Sequence, residues 1–351
     1  MSSERSGSNL LRTLIANHSQ VSGPRAPHLL DVFADLCMYY DTSKGEDGYL
    51  KIVQDMIKVV NHPYYGWDLE VSAADLCEKE QPSSFLDCFQ AIYNECARST
   101  NSEYIICKEN RLFDYAIPLF DHFKNSSFIY LYRDPRDYTR SWLKQPMGIN
   151  SLQAAANTWS REQIACIRLR DVFELPVISV SYENLIEDPA QTMKGVLGHI
   201  GIEVESECFS TQKSDDPIVQ NNEYWKNLNK PIDSSNKKKY KQYFEQKEIE
   251  RVETAAKEQM VYLGYDLDTS ADWTLPDRGF YQRVFSVMSR AWGYFRREVF
   301  GLNEVEDTQS SAKTETEKMI SSVISLRNKV EYKRKKEWCK RKGANIDRVI
   351  S

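Results

Sequence analysis

Two short segments of the chain carry residues that could hold and react with an anionic ligand. The first is a glycine turn that leads into an apolar helical pattern, and it comprises Arg5, Ser6, Gly7, Ser8, Asn9 and Leu10. The N–H groups of such a turn and the positive end of the helix favour an anion, and the polar side chains add donors. By itself the segment is a weak signal, because a capped helix after a turn has the same pattern.

The second segment begins at Arg133, directly after the apolar run FIYLY at 128–132. Such a run is typical of a strand buried in a parallel sheet, and ligands bind at the carboxyl ends of these strands. Arg133 can donate two parallel hydrogen bonds to a phosphate, and Ser141 is expected to face the same phosphate from the next helix. Pro135 stiffens the turn, and Asp137 is the predicted helix cap. A surface salt-bridge turn is the alternative.

The remaining pattern predicts the elements that position these segments. Strands are expected at 103–108, 128–132 and 176–182, and helices at about 5–20, 112–124, 137–144, 150–173, 188–202 and 237–263. This alternation predicts an α/β fold with a central parallel β-sheet flanked by helices. Residues 29–100 form a predicted helical insert that shapes the substrate site. We therefore divide the chain into a domain at 1–270 and a basic, helical C-terminal extension at 271–351.

Together these motifs resemble the sulfotransferase family that uses 3′-phosphoadenosine 5′-phosphosulfate (PAPS), over roughly residues 4–267. The segment YENLIEDP at 182–189 is similar to the family's YEDL…DP segment, and EYWKNL at 223–228 is similar to its late Trp-Lys loop. The resemblance implies a P-loop-like fold, PAPS as the donor and no metal. ATP-dependent phosphoryl transfer is disfavoured because no GK[ST] follows the glycine turn.

The resemblance also implies roles for individual residues. The turn at 5–10 would bind the 5′-phosphosulfate, and Arg133 and Ser141 would bind the 3′-phosphate. Tyr182 would lie near the adenine, while Trp225 and Lys226 would close on the nucleotide. Lys108 matches a family lysine that can stabilise the leaving oxygen, and Arg5 takes the place of a lysine that often helps in the first loop.

A general base must take the acceptor's proton. His28 is our candidate because histidine titrates near neutral pH, and Glu109 and Asp31 are held in reserve. The sequence departs from the family at Ala26, where many bacterial members have a catalytic Glu. It departs again before the turn, where only Met1 to Glu4 stand in place of a hydrophobic strand.

Composition limits the class of ligand and the compartment. The net charge of −5 is the sum of +6 over residues 271–351 and −11 over residues 1–270. The negative charge of residues 1–270 argues against nucleic acid as a partner, because contacts to phosphates dominate such binding. The eight cysteines stand singly, which predicts neither a zinc site nor a disulfide framework. We find no signal peptide and no apolar run of membrane-spanning length, and therefore expect a cytoplasmic protein.

The predicted reaction is in-line sulfuryl transfer from PAPS to a hydroxyl or amine of a small-molecule or saccharide acceptor. The alternative is a non-catalytic nucleotide-binding or scaffold protein with the same fold. Aromatic residues of the insert could line an acceptor pocket or belong to the core; they are Tyr39, Tyr40, Tyr64, Tyr65 and Trp67. Residues 278–342 could pack on the domain, contact a second subunit or lie on an anionic membrane.

Overall fold

Short parallel strands lie at the centre of the protein. The structure is a computed structural model, and it describes residues 1–42, 46–145, 149, 151–211, 226–269 and 315–342. Strand β1 (Val21–Ser22) pairs with β2 (Tyr104–Ile105), and β3 (Phe128–Tyr132) pairs with β4 (Val177–Ser181) along its whole length. Both pairs are parallel and are surrounded by helices, so the predicted α/β class is confirmed.

The described α-helices, numbered in chain order, are α1 Ser8–Ala16, α2 Leu29–Phe33, α3 Glu46–Val60, α4 Ala73–Glu80, α5 Phe85–Ser99, α6 Ala116–His122, α7 Pro135–Leu143, α8 Leu152–Asp171, α9 Tyr182–Glu187, α10 Pro189–Ile200, α11 Gln246–Tyr262 and α12 Glu315–Lys342. Their apolar faces bury one core around α1, α9, α10 and the strands and another within the insert. This second core places α2 to α5 as one packed unit beside β1 and β2.

The first residues of the chain lie along β3. Ser2 forms a parallel bridge with Leu131, and the Leu131 N–H donates to the carbonyl of Met1 at 2.9 Å. The residues before the turn thus pair with β3 through a single bridge. This bridge sets the path of the chain into the glycine turn, which follows three residues later.

Helix α12 packs on the insert. Its Val323 and Val330 belong to the buried core of the insert, and Arg334 pairs with Asp55 of α3 at 2.7 Å, with both side chains only 2% exposed. Trp338 packs edge-on against Tyr39. The described helix thus packs on the domain, which is one of the alternatives considered for residues 278–342, and residues 278–314 lie outside the described residues.

The structure corrects three local predictions. The strand expected at 103–108 is reduced to Tyr104–Ile105, and the last helix of the 1–270 segment begins at Gln246 instead of 237. The cap of α7 is Asp134, whose carboxylate accepts from the Arg136 N–H, and not Asp137. Among the aromatic residues considered for an acceptor pocket, Tyr40, Tyr65 and Trp67 are buried in the core of the insert.

Candidate active site

The glycine turn before α1 leaves backbone N–H groups outside the hydrogen bonds of the helix. Gly7 caps the helix at a φ of 92°, a left-handed conformation that favours glycine. A Cβ at this position would overlap the ring of Tyr182, which lies directly against the turn. The N–H groups of the first helical residues Ser8, Asn9 and Leu10 precede the first intrahelical bond, from Leu11 N–H to Gly7 O at 3.1 Å. The turn can therefore offer these groups to an anion.

Arg133 reaches this turn from the end of β3. Its Nη1 donates to the carbonyl of Arg5 at 3.2 Å, and its Nη2 donates to the carbonyl of Asn236 at 3.3 Å. The guanidinium carbon lies 4.2 Å from the centre of the Tyr182 ring, within cation–π range. The side chain is buried, and Nε has no hydrogen-bond partner in the protein. A fixed cation with an unused donor is thus held beside the turn.

Ser141 completes the cluster from α7. Its Oγ accepts a hydrogen bond from Nε of Arg5 at 3.3 Å. Ser6 is fully buried between these elements, and its hydroxyl has no partner in the protein. Buried polar groups are almost always satisfied, so each exception requires an explanation. Unpaired groups on Ser6 and on the neighbouring arginine are explained if an anionic ligand supplies the missing acceptor.

The turn that presents Arg133 is rigid. The side chain of Arg136 is buried and pairs with Asp134 at 2.7 Å and with Glu253 of α11 at 2.6 Å. The indole Nε1 of Trp159 donates to the carbonyl of Arg133 at 2.9 Å. Helices α8 and α11 therefore fix the start of α7, so that the side chain of Arg133 loses little freedom when it binds a ligand.

Two residues of this cluster were not predicted as functional. Asn236 donates from Nδ2 to the Tyr182 hydroxyl at 2.7 Å, in addition to accepting from Arg133 through its carbonyl. It lies in a polar stretch whose composition indicates only a loop. Glu183 accepts from the Asp134 N–H at 3.0 Å and from the Tyr265 hydroxyl at 2.8 Å. Its place within the YENL segment was the signal that could have identified it.

His28 is the cap residue of α2, and Asn110 connects it to Glu4, the residue directly before the glycine turn. Its Nδ1 accepts a hydrogen bond from the backbone N–H of Asn110 at 3.2 Å, and Asn110 Nδ2 donates to Glu4 at 2.9 Å. Burial, followed by the positive charges of Lys108 and Arg327, lowers the pKa of His28 well below its usual 6.5. The imidazole is therefore neutral at pH 7.

Lys108 and Glu109 follow β2; Glu109 is buried, and Lys108 is partly exposed and close enough to His28 to affect its pKa. Burial, together with the charge of Arg12, lowers the pKa of Lys108 to about 8. Burial raises the pKa of Glu109 to about 7, although its carboxylate accepts from Tyr93 Oη at 2.9 Å and from the Leu30 N–H at 3.3 Å. Both groups titrate near neutral pH, which is the range in which proton transfer is efficient.

The structure thus brings most of the predicted site residues together in two adjoining groups. Around the turn lie Arg5, Ser6, Gly7, Arg133, Ser141 and Tyr182. His28 and Lys108 form the second group, joined to the turn through Asn110 and Glu4. Trp225 and the side chain of Lys226 lie outside the described residues, and Asp31 is exposed on α2.

The described residues contain neither a candidate membrane-spanning helix nor a candidate metal site. None of the helices there is both long and apolar enough to cross a membrane. No group of three or more His, Cys, Asp or Glu side chains in the same part of the chain could hold a metal ion.

Comparison with known proteins assigns the family. Residues 1–206 match the model of the sulfotransferase family, which places the protein among the transferases. Because the match spans more than half of the sequence, the chain belongs to the sulfotransferase family. No curated protein matches the chain.

Two solved structures are similar to the chain at 19% sequence identity. One is the sulfotransferase domain from the curacin biosynthetic pathway, with a TM-score of 0.48 over 76% of this chain and 96% of that one. The other is the sulfotransferase domain from the Synechococcus PCC 7002 olefin synthase, with a TM-score of 0.49 over 76% of this chain and 93% of that one.

Proposed function

We propose that the protein transfers a sulfuryl group from PAPS to a hydroxyl or amine of a small-molecule or saccharide acceptor. The observation that carries the proposal is the cluster in which Arg133, Ser141 and Tyr182 meet the turn at Arg5 and Gly7. The unpaired buried groups on Ser6 and Arg133 fit the anionic groups of such a donor. When bound, PAPS supplies the sulfuryl group and leaves as adenosine 3′,5′-bisphosphate.

In this proposal the residues of the first group bind and orient the donor. Ser6 and the N–H groups of Ser8, Asn9 and Leu10 hold the phosphosulfate, and the start of α1 adds its partial positive charge. Arg133 and Ser141 hold the 3′-phosphate, and Tyr182 packs against the adenine. Lys226 and Trp225 stay predicted contacts to the nucleotide.

The second group acts at the reacting centre, with Lys108 at the leaving oxygen of the donor and His28 at the acceptor. Lys108 carries its charge below a pH of about 8, so that it can stabilise negative charge on the leaving oxygen together with Arg5. The hydrogen bond from Asn110 occupies the lone pair of His28 Nδ1, so the neutral ring carries its proton on Nε2. In this tautomer His28 donates a hydrogen bond. It can accept the acceptor's proton only after its tautomer changes.

Glu109 is the competing candidate for the base. Its carboxyl group, with a pKa raised to about 7 by burial, is partly ionised at neutral pH and can take a proton. Its contacts with Tyr93 and Leu30 also give it a structural role at the start of α2. Variants of His28 and Glu109 must therefore be compared, with the fold of each variant checked by thermal unfolding.

The role of His28 is tested by two substitutions that differ in hydrogen bonding. His28→Gln places an amide N–H near the position of Nε2, whereas His28→Ala leaves no polar group. If His28 only donates, His28→Gln should keep most of the turnover and Glu109→Gln should lose it. If His28 is the base, both His28 variants should lose about 10² to 10⁴-fold in kcat, the usual contribution of a positioned base. Turnover of labelled PAPS with an acceptor panel is the measurement.

The donor is tested by calorimetric titration with adenosine 3′,5′-bisphosphate and with adenosine 5′-monophosphate, which lacks the 3′-phosphate. We expect the bisphosphate to bind much more tightly. Absence of binding at millimolar bisphosphate would overturn the proposal. Tight binding without sulfated product across a wide acceptor panel would instead indicate the non-catalytic scaffold.

A further inference from the structure

The last described helix of the chain reaches the acceptor side of the site. Helix α12 lies beyond residues 1–206, the part of the chain that matches the family model. It is nevertheless anchored in the insert by the buried Arg334–Asp55 pair and by Val323 and Val330. One turn before Val330, its Arg327 points towards the loop that carries His28.

Arg327 holds this loop by two contacts from one nitrogen. Its Nη2 donates to the carbonyl of Pro27 at 2.8 Å and to the hydroxyl of Tyr65 at 2.5 Å. Pro27 is buried and immediately precedes His28. The Nε of Arg327 is buried and has no partner in the protein. The guanidinium is thus packed between the insert and the loop instead of extending into water.

The loop before α2 contains a residue in an unfavourable backbone conformation. His28 itself has a φ of 56°, a left-handed conformation that costs a non-glycine residue free energy and persists only where surrounding contacts enforce it. One enforcing contact is the bond from Asn110 N–H to the ring. Another is Arg25, whose Nε donates to the Tyr65 carbonyl at 2.8 Å from within the same loop. Tyr65 therefore ties the loop and Arg327 together.

We propose that Arg327 is a positioning residue, which fixes the loop before α2 through Pro27 and so sets the orientation of His28 at the acceptor. In this arrangement α12 acts on the active site through the loop before α2 and also supports the insert. The inference rests on the proposed function only for its consequence on catalysis. The positioning itself concerns contacts within the chain and can be tested without donor or acceptor.

Hydrogen–deuterium exchange of the full-length protein tests the positioning directly. Arg327→Gln should speed exchange in the peptides covering residues 24–33, while exchange in α3 and α12 should stay close to wild type. Lys329→Gln, an exposed charge on the same helix, is the matched control and should change neither region. Faster exchange throughout the insert would show that Arg327 merely supports folding, and would overturn the proposal.

A second readout follows the ring of His28 by NMR, assigned with His28→Gln. Loss of the Arg327 charge should raise the pKa of His28, since that charge helps to lower it. Arg327→Lys keeps the charge and should restore the titration and part of the exchange protection. An Arg327→Gln protein that matches Lys329→Gln in both readouts would refute the proposal.

The third readout is the turnover of Arg327→Gln compared with that of the wild-type protein. Misplacing a group by about 1 Å can cost roughly 100-fold in rate, so Arg327→Gln should lower kcat by up to this factor. Binding of adenosine 3′,5′-bisphosphate should be unchanged, because Arg327 lies on the acceptor side. If the wild-type protein fails to bind this nucleotide, the proposed function fails while the exchange and NMR results still decide the role of Arg327.

Discussion

Replacing Arg133 with Ala removes the cation that joins the end of β3 to the glycine turn. In the protein this guanidinium is 7% exposed and already oriented by the carbonyls of Arg5 and Asn236 and by the Tyr182 ring. A phosphate bound there would receive charge-assisted hydrogen bonds that are poorly screened by solvent. The substitution should therefore weaken binding of a 3′-phosphorylated nucleotide specifically.

The magnitude follows from two such bonds. Each hydrogen bond to a charged group contributes about 1.5–3 kcal/mol, so loss of the pair costs roughly 3–6 kcal/mol. At 1.4 kcal/mol per factor of ten, this corresponds to a Kd that rises about 10² to 10⁴-fold. The loss of the cation–π contact with Tyr182 should also lower the free energy of unfolding by about 1 kcal/mol. The variant is thus expected to stay folded.

Calorimetric titration of Arg133→Ala with adenosine 3′,5′-bisphosphate and with adenosine 5′-monophosphate is the assay. The loss should be confined to the bisphosphate, and Arg133→Lys should recover only part of it because lysine cannot donate two parallel bonds. Arg168→Ala, on the exposed side of α8, is the control. A folded Arg133→Ala protein whose Kd for the bisphosphate lies within threefold of wild type would refute the assignment, as would equal losses for both nucleotides.

Three further outcomes are expected. Gly7→Ala should abolish nucleotide binding because its Cβ overlaps the aromatic ring beside the turn, whereas Gly201→Ala, which has a similar φ of 84° but open space, should cost about 1 kcal/mol of stability and leave binding intact. The kcat/KM should fall as pH rises through about 8, where Lys108 of the free protein loses its proton, and Lys108→Arg should abolish this fall in a pH–rate profile. Arg334→Met leaves a buried carboxylate without its main partner and should lower the free energy of unfolding by about 3 kcal/mol in urea, while the exposed Lys336→Met should not.

The parts of the site that could be predicted from sequence are those fixed by local geometry. The run FIYLY and the turn after it determine where Arg133 emerges, since a buried strand ends where polar residues begin. The cap was misplaced to Asp137 because two aspartates, Asp134 and Asp137, lie at the start of α7, and only the backbone conformation decides that Asp134 accepts the N–H. The α/β class follows from the alternation of elements in the same way.

Contacts between distant segments were not predictable from one sequence. Asn236 meets Tyr182 across 54 positions, and its neighbours indicate nothing beyond a polar loop. Arg327 contacts Pro27 across 300 positions, and a basic helical stretch such as α12 has the composition of a solvated face. The direction of the His28–Asn110 hydrogen bond also depends on the path of the backbone after β2. Residue type suggested a base, whereas the three-dimensional contact occupies Nδ1 and leaves the proton of the neutral ring on Nε2.

The packing of α12 has a consequence for synthesis of the protein. Val323 and Val330 of α12 belong to the core that contains the apolar residues of the insert. Arg334, the ion-pair partner of Asp55, lies 279 positions later in the sequence than Asp55. During translation the insert emerges from the ribosome long before this helix. Until α12 is made, the apolar surface that it covers is exposed and the carboxylate of Asp55 lacks Arg334. Such long-range closure slows folding and favours aggregation of incomplete chains. Chains that stop before residue 315 are therefore expected to depend on chaperones or to be degraded.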